Sequence, residues 1–176
     1  IRDATRADLP AIHAINQAEI PAVSDIDEAM VEWFFEVAVY LRVAEIGGEI
    51  AGFLLGLPPG LPYASENYRW FSERYPDFCY IDRLAVAPGF RRRGVARALY
   101  GDIEAFAQST SAPILACEVN VRPRNEVSLA FHAAQGFEEV GRQDTEGGTK
   151  TVAMMTRPVA QDTRPQGDLA SGPGDA

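Results

Sequence analysis

Only two cysteines and two histidines occur among the 176 residues, and the cysteines form no CxxC pair. Disulfide scaffolds and cysteine-rich zinc modules need several cysteines at patterned spacing, so both are excluded. Cys79 and Cys117 each sit in an apolar, strand-like run, where a reduced thiol acts as a small core residue. No uninterrupted apolar stretch approaches the roughly 20 residues of a membrane span, and the opening IRDATRADLP lacks a signal-peptide core. These features lead us to expect a soluble, cytoplasmic chain with no membrane partner, although a first residue that is not Met leaves a short preceding leader open. Positive charge is scarce as well: 16 basic against 25 acidic residues give a formal charge of -9. That balance repels phosphate backbones and disfavours nucleic acid, while it suits a cationic partner or substrate. Neither GxGxxG nor GxxxxGK[ST] is present, which weakens dinucleotide and nucleoside triphosphate readings. There is no internal repeat.

What is present is enough for one core: 47% of the residues are hydrophobic and 10% aromatic, in a chain too short for two ordinary domains. Asp8 is a natural N-cap, Pro10 fits a first turn, and Leu9, Ile12, Ile15 and Ala18 repeat at helical spacing, predicting a helix that ends near Pro21. Asp25 or Asp27 caps a second short helix carrying Met30, Trp33, Phe34 and Val37. Residues 40–46 and 49–57 read as strands joined by a Gly47-Gly48 hairpin. Residues 58–78, rich in proline and aromatics, read as a connecting insert with one helix between Ser65 and Tyr75. Strands over 79–87 and 113–121 then alternate with helices over 94–108 and 126–135. Gly136 stops the last helix, and strands at 137–142 and 149–157 follow Gly136 and Gly147-Gly148. The fold class is α/β. Residues 158–176 hold few large apolar side chains, cannot offset their ordering entropy, and read as a flexible tail after a domain spanning 1–157.

The most informative stretch is CYIDRLAVAPGFRRRGVARALYGDIEAF. A strand passes through a Pro88-Gly89 turn and a basic, glycine-containing loop into a helix. Backbone N–H groups at a helix start have no intrahelical partner, and the helix dipole adds positive potential, so the loop from Arg91 to Arg97 can cradle a diphosphate. Arg91, Arg92, Arg93 and Arg97 invert the charge locally in an acidic protein; the plainer reading is a solvated basic helix start. RRRGVA resembles the [QR]xxGx[GA] motif of the Gcn5-related N-acetyltransferase (GNAT) superfamily, with Arg91, Gly94 and Ala96 at the marked positions. YIDRLAVAP looks like that family's fourth strand, and ALYGDIEAFA like the helix that holds the coenzyme A pyrophosphate. Downstream, ILACEVNVRPRNEVSLAFHAAQGFEEVG is similar to the family's strand, Asn, short helix and Gly-Phe. With IRDATRADLPAI at the start, the resemblance covers about residues 1–157.

The resemblance implies a central, mostly antiparallel sheet of six or seven strands with a splayed parallel pair, flanked by about four helices. It implies acetyl-CoA as co-substrate with no metal, and acetyl transfer to a primary amine of a small molecule or peptide by direct attack in a ternary complex. It also leaves open a homodimer paired through C-terminal strands. By the same resemblance Leu84, Ala85 and Val86 would pair with the pantetheine arm, and the amides of Arg92, Arg93, Gly94, Val95, Ala96 and Arg97 would hold the pyrophosphate. An arginine side chain of this loop, which opens at Arg91, would reach the 3′-phosphate, and Asn125 and Ser128 would contact pantetheine. Asn125 reads equally as a helix N-cap.

Acyl transfer to an amine needs a neutral nucleophile, a proton acceptor and a donor to the departing thiolate. Many family members supply the donor from a Tyr before Gly-Phe; the corresponding residue here is His132, either a replacement donor or a structural substitution. Asp82 and Glu118 compete as base, and either carboxylate could instead bind the acceptor's ammonium or pair with Arg83. An amine that enters neutral would need no base, leaving orientation and carbonyl polarisation by a strand N–H such as Leu84's. Glu19, Asp25, Asp27, Glu28 and Glu66 could form an acidic rim with Trp33, Tyr68 and Trp70 as walls, although caps and core are the commoner roles of such residues. Competing readings are a non-catalytic acyl-CoA sensor of the same fold and, against the net charge, a phosphate-reading nucleic-acid module.

Overall fold

Period-two alternation dominates the chain after Tyr40, and that part builds the sheet. In a computed structural model, which describes residues 1–160, seven strands form one sheet: β1 (Arg2–Asp3), β2 (Tyr40–Ile46), β3 (Glu49–Leu57), β4 (Cys79–Val86), β5 (Ile114–Arg122), β6 (Glu138–Thr145) and β7 (Lys150–Pro158). Their order is β1-β2-β3-β4-β5-β7-β6. All neighbours are antiparallel except β4 and β5. Among the described residues five α-helices flank the sheet, where about four are expected: α1 (Leu9–Ala18), α2 (Glu28–Val37), α3 (Glu66–Ser72), α4 (Val95–Ser109) and α5 (Glu126–Ala134). Among the described residues no helix is long and apolar enough to cross a membrane.

Alternate strand residues serve opposite faces. Leu115, Cys117 and Val119 of β5 join Leu99, Tyr100 and Ile103 of α4 in one core. On the other face Ala116 packs with Phe34 of α2 and Tyr68 and Phe71 of α3, beside a third cluster built from Leu9, Ile12, Ile15, Val43 and Phe53. Burial pushes the Cys79 thiol up to about 12, and Cys117 is likewise buried and unpaired, as core thiols are.

Several local expectations need correction. Asp8 does not cap α1 through its side chain. Its carboxylate accepts from Arg2 Nη1 at 2.7 Å, Arg2 Nη2 at 2.9 Å and the Thr5 N–H at 2.7 Å. The Arg2 guanidinium therefore holds Asp8 well below the usual carboxylate range and pins β1, a strand of two residues with no periodicity to betray it. α1 ends at Ala18 rather than near Pro21. Of the two candidate caps of the second helix, Asp27 is the one that serves, its Oδ1 accepting from the Met30 N–H at 2.8 Å. Folded chain continues past 157, since Val159 is buried and its N–H reaches the Pro113 carbonyl at 2.9 Å. The rest of the expected tail, 161–176, lies outside the described residues.

The feature that positions the site is the parting of β4 from β5. Their register holds only at Cys79 with Leu115 and Tyr80 with Ala116. On its other side β4 stays paired with β3 to Val86, but Leu55 faces Arg83 while Gly56 faces Ile81. Asp82 is thus an extra residue on β4, and a bulge bends and twists the strand that carries it. The bend coincides with the end of the parallel pairing, leaving the β5-facing backbone of 81–86 without a strand partner among the described residues.

Candidate active site

A cleft of about 920 Å³ opens along the splay. One wall is formed by Arg91, Ala96 and Tyr100 around α4 and by Asn125, Ser128, Phe131 and His132 of α5. The other is formed by residues 18–24, Tyr63, Glu66, Asn67 and the β6–β7 turn with Glu146 and Lys150; Leu84, Ala85 and Val86 line the floor beside Glu118.

At the start of α4, Gly94 is the N-cap residue with φ of 81°, a left-handed conformation that glycine adopts without strain. A Cβ built there would meet no atom within 4 Å, so nothing crowds the N-terminus of α4, whose first amides have no intrahelical partner. Arg92, Arg93 and Arg97 are exposed around them. This cradle fits a diphosphate by charge, by free N–H groups and by room. Not every expected residue contributes a side chain. Val95 is buried in the core, so that only its amide is offered. The Arg91 side chain is ion-paired with Glu19, and the Arg93 guanidinium lies 5.2 Å over the Phe90 ring. Of the loop residues, Arg91 and Ala96 line the cleft.

The two candidate bases separate clearly. The Asp82 side chain is 4% exposed and accepts from Arg83 Nε at 2.7 Å. Arg83 also donates through Nη1 to Asn16 Oδ1 at 2.9 Å and through Nη2 to Ser24 Oγ at 3.3 Å, and lies 5.0 Å over the Phe34 ring. This buried pair ties the α1–α2 loop to β4. Arg83→Ala would leave the Asp82 charge buried and unpaired, and should lower stability by about 3–5 kcal/mol in urea titrations. Glu118 is different: no cation pairs with it among the described residues. Its Oε2 accepts from the Tyr80 hydroxyl at 2.7 Å and its Oε1 from Asn67 Nδ2 at 3.1 Å. Burial, opposed by the Tyr80 hydrogen bond and reinforced by the Asp82 charge, pushes its carboxyl up to about 7. A carboxyl that exchanges protons near neutrality on a cleft floor is a suitable general base.

His132 is 8% exposed, and both ring nitrogens are engaged. Nδ1 lies 2.7 Å from the Ser128 carbonyl and Nε2 lies 2.6 Å from the Tyr100 hydroxyl. A carbonyl accepts only, so Nδ1 carries the hydrogen and Nε2 accepts from Tyr100. Burial lowers the pKa of the imidazole, which therefore offers the cleft no free N–H; the O–H it holds is Tyr100's. Asn125 acts as the N-cap of α5, its Oδ1 accepting from the Ser128 N–H at 3.0 Å, while both residues still line the cleft.

Of the expected acidic rim, Glu19 and Glu66 reach the cleft. Asp27 caps α2, Asp25 accepts from Gln17 at 2.9 Å, and Tyr68 is a core residue whose hydroxyl donates to the Pro58 carbonyl at 2.7 Å. Three side chains went unnoticed in the sequence. Tyr63 lines the cleft within electrostatic reach of Asp82, Asn67 touches Glu118, and Tyr100 touches His132. Only Tyr100 left a signal, as a hydroxyl on the inward face of an otherwise apolar helix stripe. Among the described residues no group of three or more His, Cys, Asp or Glu could hold a metal ion.

Residues 9–137 match the sequence model of the acetyltransferase (GNAT) family. The uncharacterized protein ML0378 of Mycobacterium leprae is 39% identical over 67 residues, which are 38% of this chain and only 17% of that protein. The ribosomal-protein-alanine N-acetyltransferase of Brucella melitensis superposes with a TM-score of 0.67 at 25% identity, covering 89% of this chain and 98% of that one. A putative acetyltransferase of Salmonella typhimurium, yncA, solved with its cofactor acetyl-CoA, superposes with a TM-score of 0.67 at 17% identity, covering 93% and 95%.

Proposed function

Because the chain belongs to the acetyltransferase (GNAT) family, we propose that it transfers an acetyl group from acetyl-CoA to a primary amine of a peptide or small molecule in a ternary complex. The observation that carries this reading is Glu118, a carboxyl near pKa 7 on the cleft floor beside the unpaired edge of β4. Glu118 takes a proton from the acceptor's ammonium, and the neutral amine attacks the thioester carbonyl. As the C–N bond forms, a β4 N–H such as that of Leu84 donates to the developing oxyanion. The C–S bond then breaks, the Tyr100 hydroxyl held by His132 gives its proton to the departing thiolate, and the second proton of the attacking nitrogen restores that hydroxyl as the amide forms. The α4 cradle and the arginines around it hold the pyrophosphate, while 84–86 offer backbone groups to the pantetheine arm. Two buried, unpaired thiols suit a reducing cytoplasm.

A peptide amine is supported by the Brucella relative, whose name assigns it a ribosomal-protein alanine, and by Glu66 and Glu118 in the cleft lining, which favour a cation. Thiol release from acetyl-CoA, followed with an alanine-initiated peptide, its N-blocked counterpart and a set of small amines, tests the reading. We expect release with free amines and none with the blocked peptide. Binding of acetyl-CoA without release for any amine offered would instead identify a sensor of the same fold.

A further inference from the structure

We propose that Asn67, on α3, is the positioning residue for Glu118, and that Gln143, on β6, fixes the Asn67 amide in the orientation this requires. The inference rests on the reading of Glu118 as the base. Asn67 Nδ2 donates to Glu118 Oε1 at 3.1 Å, and Asn67 Oδ1 accepts from Gln143 Nε2 at 3.1 Å. A carboxylate only accepts, so the Asn67 amide must present its nitrogen to Glu118. Gln143, by presenting an N–H to the Asn67 oxygen, makes that orientation the one in which both contacts are satisfied.

The helix that brings Asn67 is docked one turn further on. Trp70 lies on Gly141 of β6, where a Cβ would come within 2.6 Å of the indole Cζ2. Residues three apart share a helix face, so the same face of α3 meets β6 and Glu118 together. The insert at 58–78, which reads in the sequence as a connection with one helix and a candidate wall of the acceptor site, thereby delivers a hydrogen-bond donor to the cleft floor.

The other groups facing Glu118 frame what this donor does. From β4 come the Tyr80 hydroxyl, which donates to Oε2, and the Asp82 charge, which raises the Glu118 pKa. The hydroxyls of Tyr63, before α3, and Tyr100, on α4, lie within electrostatic reach, as does the thiol of Cys117 on β5 itself. Burial and Asp82 favour the neutral acid; Tyr80 and Asn67 favour the carboxylate. Asn67 is the one donor among them from outside the sheet, and without it the balance moves toward the protonated form, which cannot accept a proton at neutral pH.

The test uses the full chain with Asn67→Leu and, in case that variant folds poorly, Gln143→Leu. The Glu118 carboxyl is titrated by 13C NMR without ligand, and kcat/KM for the alanine-initiated peptide is followed against pH. In Asn67→Leu the Glu118 titration should move up by about one pH unit, with a smaller upward move in Gln143→Leu. The acid limb of kcat/KM should follow, with recovery of the parent rate above the new limb. An unmoved Glu118 titration, or a loss of kcat/KM that is equal at every pH, overturns the proposal. A titration that moves while the rate profile stays fixed leaves the positioning role standing and removes Glu118 as the base.

Discussion

Glu118→Gln is expected to lower kcat/KM by about 10²–10⁴-fold, the range for loss of a general acid or base, while acetyl-CoA affinity stays unchanged. The amide keeps the shape of the carboxyl: with its oxygen toward the Asn67 NH2, its own NH2 faces the Tyr80 hydroxyl, which accepts as readily as it donates, so the loss reports proton transfer rather than packing. Stability should move the other way. The Glu118 carboxyl is pushed up to about 7 in the folded protein from an ordinary 4.5, so the native state binds more protons than the unfolded chain between those values. Its contribution to stability is therefore full below pH 4.5 and falls as pH rises through 7. Above that point Glu118→Gln removes a partly buried charge with no cationic partner among the described residues and should exceed the parent in stability by on the order of 2 kcal/mol. Urea titrations of both proteins at pH 5 and pH 8 measure this. A variant equally active at pH 7.5 would remove Glu118 from the mechanism; one less stable at pH 8 would show that the carboxylate is well solvated.

Gly94→Asp should weaken acetyl-CoA binding by about 100-fold or more. The Gly94 φ of 81° lies where aspartate is among the better tolerated side chains, and the space around a Cβ there is open. The substitution therefore folds, and its effect falls on the ligand. A carboxylate at the α4 N-cap satisfies the free amides and opposes a diphosphate at close range, which costs several kcal/mol at an intermediate dielectric. Gly48→Asp is the matched control, with φ of 83°, equally open surroundings and a place in the β2–β3 hairpin away from the cleft; it should bind normally. Equal affinities in all three proteins would move the pyrophosphate site elsewhere.

The contrast between these two residues shows what the sequence could reveal. Gly94 was legible because the cradle is local: a strand, a turn, a basic loop and a helix start lie in one continuous run, and the conformation they need is written in one glycine. The strands from 40 to 57 and 79 to 122 were legible for a similar reason, since burial of alternate faces imposes a period of two. Glu118 was legible only as one of two carboxylates. What separates it from Asp82 comes from far along the chain: Tyr80 is 38 positions away and Asn67 is 51, whereas Asp82 is ion-paired with its immediate neighbour Arg83. His132 shows the same limit. Its place before Gly-Phe pointed to a proton donor, but the Tyr100 hydroxyl, 32 positions earlier, makes it an acceptor. β1 left no pattern because two residues cannot show one, and Asp8 looked like a cap because its real partner, Arg2, sits outside the helix.

The most direct test of the account is calorimetric titration of the purified protein with acetyl-CoA and with CoA. Micromolar binding of both is the predicted result, and it would establish the α4 cradle and the splayed β4 edge as a coenzyme site. Absence of binding by a folded protein would contradict the account at its base, whatever the resemblance of its motifs.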